Sequence, residues 1–343
     1  MRFRELIATF GSPVHAWDAT PPSPERSAAS ESASSALERA AHAGAHLMVC
    51  GEDEYPARLA DLPDPPPVLF AIGALEPLRK PCVAIVGTRR ATSYGERVTF
   101  EIANALARAG VTVISGMARG IDGVAHRATL AANGSTAAVL GTGVDVAYPA
   151  AHRSLHAEIA ERGLLLSEEL PGDRASGGSF PKRNRIIAAL ATAIIVVEAP
   201  HRSGALITAT HALDLDRTIA AVPGPIDVPQ SAGSNTLLRD GAIVIAEIAD
   251  ALALVGAISP FALARASSEA PSLSDLTQRA VWHALESPAP DLDALAARAS
   301  LPARRCLAAV SALELAGAIE CALTGEIRRR GWLSRAPVPG VAR

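Results

Sequence analysis

The chain has 343 residues and a formal net charge of −3; 49% of its residues are hydrophobic but only 3% aromatic. That length supports two or three domains with a sizeable core. The balance of charge excludes a uniformly basic nucleic-acid coat and leaves room for a local basic groove.

Residues 1–54 read as a short helical N-terminal region. It opens on "FRELIATFG" and continues into "TPPSPERSAASESASSALERAA". The first half of that second stretch is expected to be a flexible loop and its end the start of an Ala-rich helix. "DLPDPPPVLFAIG" is a proline-punctuated connector into the next segment. From Cys82 to about Val255 short apolar runs alternate with helical ones: "CVAIV", "VTVIS", "TAAVL", "LLLS", "AIIVVE", "TIAAV" and "AIVIA". Runs this continuously apolar are strands covered on both faces. Between the first two, "SYGERVTFEIANALARAG" predicts a helix with Ser93 and Glu96 as a capping box, a Val98, Ile102 and Leu106 stripe, and Gly110 closing it. The fold class expected for residues 55–255 is therefore an extended Rossmann-like, doubly wound, mostly parallel α/β sheet. A linker at 256–273 precedes a unit at 274–332, whose "SDLTQRAVWHALE", "DLDALAARA-SLP-ARRCLAAVSALELAG" and "AIECALTGEIRRR" read as a winged helix-turn-helix with its wing turning at Thr324-Gly325. Residues 333–343 are a tail.

Cys50, Cys82, Cys306 and Cys321 form no CxxC pair and have no histidine at ligand spacing. Reduced thiols are expected, with no metal and no cofactor. No charged-then-apolar leader is visible. The longest apolar run, "IIAALATAIIVVEA", is too short to span a bilayer. The expectation is a cytoplasmic protein without a membrane partner.

In an open α/β sheet, ligands bind beyond the carboxyl ends of the strands. Here those ends release "GTRR", "SGMARGID", "GTGVD", "SEELPG", "EAPHRSGALITA" and "PG". Glycines let backbone N–H groups approach an anion, and a following helix N-terminus adds a favourable dipole. The dinucleotide fingerprint is incomplete in "GTGVDV", and "GDRASGGS" lacks the lysine of a phosphate-binding P-loop. "SFPKRNR" gathers Lys182, Arg183 and Arg185 with Asn184 around Pro181, which suits a first helical turn. The cations are donors for backbone phosphates and Phe180 is a face for a base, the pairing of a single-strand groove. Because cations at a helix start oppose its dipole, something anionic must compensate them. Asp122 and His126 share a helical face and are expected to be a capping pair that holds the preceding loop. Glu168, Glu169 and Glu198 are expected to orient neighbouring arginines. No catalytic residue is assigned.

"VAIVGTRRATSYG", "VISGMARGIDGVAHRATL", "VLGTGVDVAYPAAHRSL", "LLSEELPG", "FPKRNRIIAAL", "IIVVEAPHRSGALITATHA" and "AVPGPID…SAGSNTLLRDGA" together resemble the DNA-processing protein A (DprA, or Smf) family, in its order, over roughly residues 55 to 250. "YPARLADLPDPPPVLFAIG" is similar to its lead-in segment. The resemblance implies a Rossmann-like domain that binds single-stranded DNA without cutting it. It also implies self-association into homodimers and loading of RecA onto incoming strands in natural transformation, with single-stranded-DNA-binding protein a further partner. Carried over by position, its binding residues fall on Arg89, Ser115, Gly116, Phe180, Arg183, Asn184, Arg185, Ser203 and Gly204, with Lys182 at the motif's variable place. Three departures stand out. Thr88 replaces a serine and keeps the hydroxyl; Ala205 replaces another and loses it; and the N-terminal region is shorter than the family's helical domain. Arg304, Arg305 and Arg328 to Arg330 on the winged helix fit either duplex phosphates or a protein contact. Two rivals compete. One is a nucleoside-monophosphate phosphoribohydrolase-like enzyme using Glu198, although its P-G-G-x-G-T loop is absent. The other is a transcriptional regulator led by the winged helix.

Overall fold

The computed structural model describes residues 5, 9–11, 13–256, 275–315, 318–321 and 325–329. The chain divides into two compact units, Met1–Ala257 and Ile258–Arg343.

In the first unit, α1 (Pro13–Ala19) and α2 (Pro24–Ala43) precede β1 (His46–Val49) and β2 (Val68–Gly73). The stretch expected to be half loop is helical throughout α2. Ser23 caps it by accepting from the Arg26 N–H at 3.2 Å, and Pro24 fills the first turn. Neither Gly nor Pro recurs before Gly44, whose φ of 65° ends the helix. There follow β3 (Cys82–Val86), α3 (Ser93–Arg108), β4 (Thr112–Ser115), α4 (Ile121–Ala131), β5 (Thr136–Leu140), α5 (Arg153–Arg162) and β6 (Leu164–Ser167). The remainder is α6 (Ser179–Leu190), β7 (Ala193–Val196), α7 (Gly204–Asp214), β8 (Thr218–Ala221), α8 (Ala232–Arg239), β9 (Ile243–Val244) and α9 (Ile248–Ala253).

All seven apolar runs named above became β3 to β9. They pair in parallel in the order β6-β5-β4-β3-β7-β8-β9, and β2 and β1 add antiparallel beside β6. The period-2 alternation divides the core. Val83 and Ile85 face Ile102 and Leu106 of α3, whereas Ala84 and Val86 face the layer of Ile186, Ile187 and Leu190 from α6. Each fully buried aliphatic side chain contributes about 1.5–3 kcal/mol.

The chain walks outward from β3 to β6, then returns to place β7 on the other flank of β3. The sheet's switch point therefore lies between the carboxyl ends of β3 and β7. A clamp closes it. The Thr88 N–H donates to the Glu198 carbonyl at 2.7 Å, and the Glu198 carboxylate accepts from the Thr92 N–H at 2.9 Å and from the Thr92 hydroxyl. With its proton committed to Glu198, that hydroxyl accepts from the Gly95 N–H at 3.1 Å, so Thr92 rather than Ser93 caps α3. Glu198 thus orients a helix start, not an arginine.

The second unit packs α10 (Leu276–Ala284), α11 (Leu292–Arg298) and α12 (Ala303–Leu315) around Val281, Leu285, Leu295, Cys306 and Leu313. An antiparallel hairpin of β10 (Ile319–Cys321) and β11 (Ile327–Arg329) completes a winged-helix arrangement. Arg304 and Arg305 are exposed on α12. Arg329 is occupied: its guanidinium lies 4.4 Å over the Trp282 ring, and its Nε donates to the Trp282 carbonyl at 3.1 Å. Of the expected 256–273 linker, residues 257–273 lie outside the described residues, as do Thr324, Arg330, the expected tail at 333–343 and most of "FRELIATFG". No helix among those described is long and apolar enough to cross a membrane.

Candidate nucleic-acid interface

Two adjoining cavities open at the carboxyl edge of the sheet. The first, of about 240 Å³, sits at the switch point and is lined by Arg89, Phe180, Arg183, Asn184, Ser203 and Gly204, among others. The second, of about 400 Å³, adds Arg90, Arg119 and Tyr148, and shares Arg89, Phe180 and Arg183 with the first. Arg89 is exposed, and its guanidinium lies 5.3 Å from the centre of the Phe180 ring. Tyr148 packs on the same ring at 5.1 Å with a 35° tilt. An arginine and two aromatic faces thus meet between the cavities, and Tyr148 still exposes 45% of its surface. The side chains of Arg89, Arg90 and Arg119 form no ion pair among the described residues. Such a ridge offers cationic donors and stacking faces together.

The cations of "SFPKRNR" divide into three roles. Arg183 is 6% exposed, and its Nη1 donates to the carbonyls of Gly116 (2.6 Å) and Val139. Burial pushes its pKa down to about 10, although the nearby Asp122 opposes the shift. Arg185 turns from the cavities and gives Nη2 to both oxygens of Glu168, at 2.8 and 2.9 Å. Lys182 is exposed along its side chain and reaches the same carboxylate at 3.3 Å. The anion that the helix dipole calls for is in part the protein's own: Glu168 for Lys182 and Arg185, and Asp122 for Arg183.

The "SGMARG" loop after β4 is held from every side. The Ser115 hydroxyl donates to the Ile85 carbonyl at 2.6 Å. Asp122 accepts from the Gly116 and Ala118 N–H groups at 3.2 and 3.3 Å, and His152 donates through Nδ1 to the Met117 carbonyl at 3.0 Å. Met117 takes the left-handed φ of 58° within this frame. Burial raises the Asp122 pKa, against the pull of Arg183 and those two N–H groups. Gly116 is obligatory for space: a Cβ there would stand 2.4 Å from Arg183 Nη2.

His126 does not join Asp122. The Thr136 hydroxyl spends its proton on the Val113 carbonyl at 2.9 Å, so it accepts from His126 Nδ1 at 2.7 Å. This fixes the neutral tautomer and leaves Nε2 buried without a partner among the described residues. Burial pushes the His126 pKa down to about 3, helped by the nearby Arg183 and Arg127 guanidinium groups. Asp122 holds the loop as expected, and the histidine instead braces β5.

The structure thus brings Arg89, Phe180, Arg183, Asn184, Ser203 and Gly204 to one cavity. Asn184 is anchored by its Nδ2 to the Gly204 carbonyl at 3.2 Å, and Ser203 caps α7. Ser115 and Arg185 stand behind the site, and Gly116 contributes backbone to the second cavity. Arg90, Arg119 and Tyr148 were not singled out from sequence. Arg90 had a signal, lying beside Arg89 in "GTRR", whereas Tyr148 offered only an aromatic beside Pro149 on the chain after β5. No group of His, Cys, Asp and Glu among the described residues is arranged to hold a metal.

Comparison with known proteins fits this geometry. The model of the family described as DNA recombination-mediator protein A matches residues 46–256, and that of the DprA winged helix domain matches 264–322. A Synechocystis protein named Smf is 46% identical over 211 residues, which are 60% of this chain and 53% of that protein. The chain therefore spans about half the length of this relative. Among solved structures, DNA processing protein A from Streptococcus pneumoniae is 39% identical with a TM-score of 0.59, over 61% of this chain and 74% of that one. DNA processing protein A from Helicobacter pylori, whose structure concerns its single-stranded DNA binding mode, is 32% identical with a TM-score of 0.55, over 61% of this chain and 94% of that one. With the matched model covering the whole parallel sheet and its switch point, the chain belongs to the DNA recombination-mediator protein A (DprA/Smf) family.

Proposed function

We propose that this protein binds single-stranded DNA across the carboxyl edge of its sheet and processes it in transformation by delivery, not by cutting. The observation that carries the reading is the ridge of Arg89, Phe180 and Tyr148 between two cavities, flanked by Arg90 and Arg119. Phosphates pair with the exposed guanidinium groups, and bases lie on the aromatic faces. Arg183, Asn184, Ser203 and Gly204 form the floor, Lys182 a flank, and Ser115, Gly116 and Arg185 the support. Binding through phosphates is sequence-tolerant and falls steeply with salt. Glu198, the carboxylate a hydrolase would use, is 2% exposed and engaged with Thr92, which favours the binding role.

Family membership supports the finer reading: the protein works as a homodimer, loads RecA onto the bound strand, and meets strands covered by single-stranded-DNA-binding protein. The test is fluorescence anisotropy with a labelled oligothymidine beside a duplex of equal length, at low and moderate salt. The expected result is single-strand preference, a steep salt slope, and at least tenfold weaker binding by Arg89→Ala. Duplex preference, or an Arg89→Ala protein binding as tightly as the parent, would overturn the reading.

A further inference from the structure

The carboxyl edge continues past the cavities. In sheet order, Tyr148 follows β5, Arg119 follows β4, Arg89 follows β3, Ser203 follows β7, and the loop Pro223–Val228 follows β8. With strands about 4.8 Å apart, the four intervals from β5 to β8 span about 19 Å. That is about six nucleotides at the stacked spacing of about 3.4 Å. The two cavities line the edge from Tyr148 to Ser203, and the last interval, from β7 to β8, lies beyond them.

The loop after β8 is built to stay fixed. Asn235 pins Gly224 twice, accepting from its N–H at 3.1 Å and donating to its carbonyl at 2.9 Å. Pro223, Pro225 and Pro229 restrict the backbone, and the Val228 N–H closes a turn onto the Pro225 carbonyl at 3.3 Å. At its tip Ile226 is 98% exposed, so a rigid loop presents a large aliphatic side chain wholly to solvent. Beside it, the Tyr94 hydroxyl donates to the Pro223 carbonyl at 3.0 Å. Tyr94 remains 36% exposed, with the Arg97 guanidinium 5.6 Å from the centre of its ring. Arg97 meets Glu101 only at 3.8 Å, and both side chains are solvent-exposed, so a phosphate can displace that pairing. Tyr94 lies two residues beyond Thr92, so the Glu198 clamp that shapes the Arg89 loop also sets this ring.

We infer that Tyr94, Arg97 and the Pro223–Val228 loop form a second contact region for the same single strand, taking the bases that leave the switch-point cavity. This rests on the single-strand reading above. Two independent features point to the occupant. The aromatic–arginine pair repeats, beyond the cavities, the chemistry of Phe180 and Arg89. The apolar Ile226 next to Asp227 suits bases and repels phosphate, so the bases turn toward the loop and the phosphates toward Arg97. Stacking of this kind is indifferent to sequence and sets how much strand one protomer covers.

The test compares oligothymidines of about 4 and about 16 nucleotides, the range of single-strand site sizes, by fluorescence anisotropy on the full chain. The Tyr94→Ala/Ile226→Ser double variant is expected to bind the longer oligomer about tenfold more weakly and the shorter one within about twofold of the parent. Arg89→Ala weakens both. If the double variant equals the parent on the longer oligomer while Arg89→Ala does not, the second region is refuted and the cavity reading stands. Equal losses at both lengths refute it too, as does a changed oligomeric state with unchanged DNA affinity, which would assign Ile226 to a second copy of the chain. If Arg89→Ala weakens neither, both readings fail. Photo-crosslinking of the parent protein to a long oligomer bearing 5-iodouracil, read by mass spectrometry, needs no variant: a Tyr94 adduct supports the region, and adducts confined to Phe180 and Tyr148 overturn it.

Discussion

Gly116→Ala adds one methyl group at the base of the site, and the structure sets its cost. The new Cβ would lie 2.4, 2.6 and 2.7 Å from Nη2, Cζ and Nη1 of Arg183, well inside van der Waals contact. The guanidinium cannot swing aside freely, because Nη1 already bonds the buried carbonyls of Gly116 and Val139. Giving up two hydrogen bonds from a charged donor costs about 1.5–3 kcal/mol each, and a buried charge that loses its partners costs about 3–5 kcal/mol. Moving the loop instead breaks the Gly116 N–H to Asp122 bond and strains the Ser115 to Ile85 bond. The expected destabilisation is about 3–5 kcal/mol, a large share of a domain's usual total of about 5–15 kcal/mol. In urea melts followed by far-UV circular dichroism, with m of about 1–3 kcal/mol/M, the midpoint should fall by about 1 M or more. Adding Arg183→Met removes the clashing group, so the double variant should lose less than the sum of the singles. A Gly116→Ala protein within about 0.5 kcal/mol of the parent would refute the packing argument.

Other consequences follow from the same geometry. Glu198→Ala removes the acceptor for both Thr92 donors and should cost about 2–4 kcal/mol, while lowering single-strand affinity because the Arg89 loop loses its anchor; a variant of parental stability in the same melts would contradict the clamp. Lys182 is already paired with Glu168, so Lys182→Ala should weaken single-strand binding less than Arg89→Ala, and anisotropy titrations showing the reverse order would displace Arg89 from the centre of the site. His126 titrates near 6.5 when unfolded and at about 3 when folded. Its contribution is thus fully present above about pH 6.5 and is lost as pH falls toward 3, at up to about 1.4 kcal/mol per pH unit. His126→Gln should flatten the fall in stability between about pH 6 and 4; His156 and His211 are also shifted downward by burial, so some slope remains.

The parallel sheet was legible because its strands are buried on both faces, which writes a continuous apolar run into the sequence. β1 and β2 escaped for the opposite reason. β1 is only four residues with an exposed, half-buried and buried mixture, and β2 begins directly after Pro65, Pro66 and Pro67 in what reads as a connector. Pairing with β6 and burial of Leu69, Phe70 and Ala71 decide its fate, and those are long-range contacts. At the site, "SFPKRNR" announced the right cavity, but sequence spacing could not say which cations face it. Arg183 and Arg185 are two apart, so on a helix they point to different sides: one into the cavity floor, the other to Glu168. Helical spacing placed Asp122 and His126 on one face, yet each found a better partner across the loop or the sheet.

This division of labour makes a prediction about the ionic character of binding. The conspicuous cations of the motif, Lys182, Arg183 and Arg185, all have anionic or carbonyl partners inside the protein. The guanidinium groups that form no ion pair among the described residues, Arg89, Arg90 and Arg119, come from loops after the two central strands β3 and β4. A cation whose charge is already answered releases few counterions when a phosphate arrives, so only the second set should count. For single strands the slope of log K against log salt is about −0.7 per phosphate neutralised. Three free arginines give about −2, and all six cations would give about −4. A short oligothymidine confined to the central loops should therefore show the shallower slope, and Arg90→Ala or Arg119→Ala should each reduce it by about 0.7. A slope of about −3.5 would mean that Glu168 releases Lys182 and Arg185 when DNA binds, adding two neutralised phosphates to the three. The motif would then contact phosphate directly instead of shaping the floor beneath it.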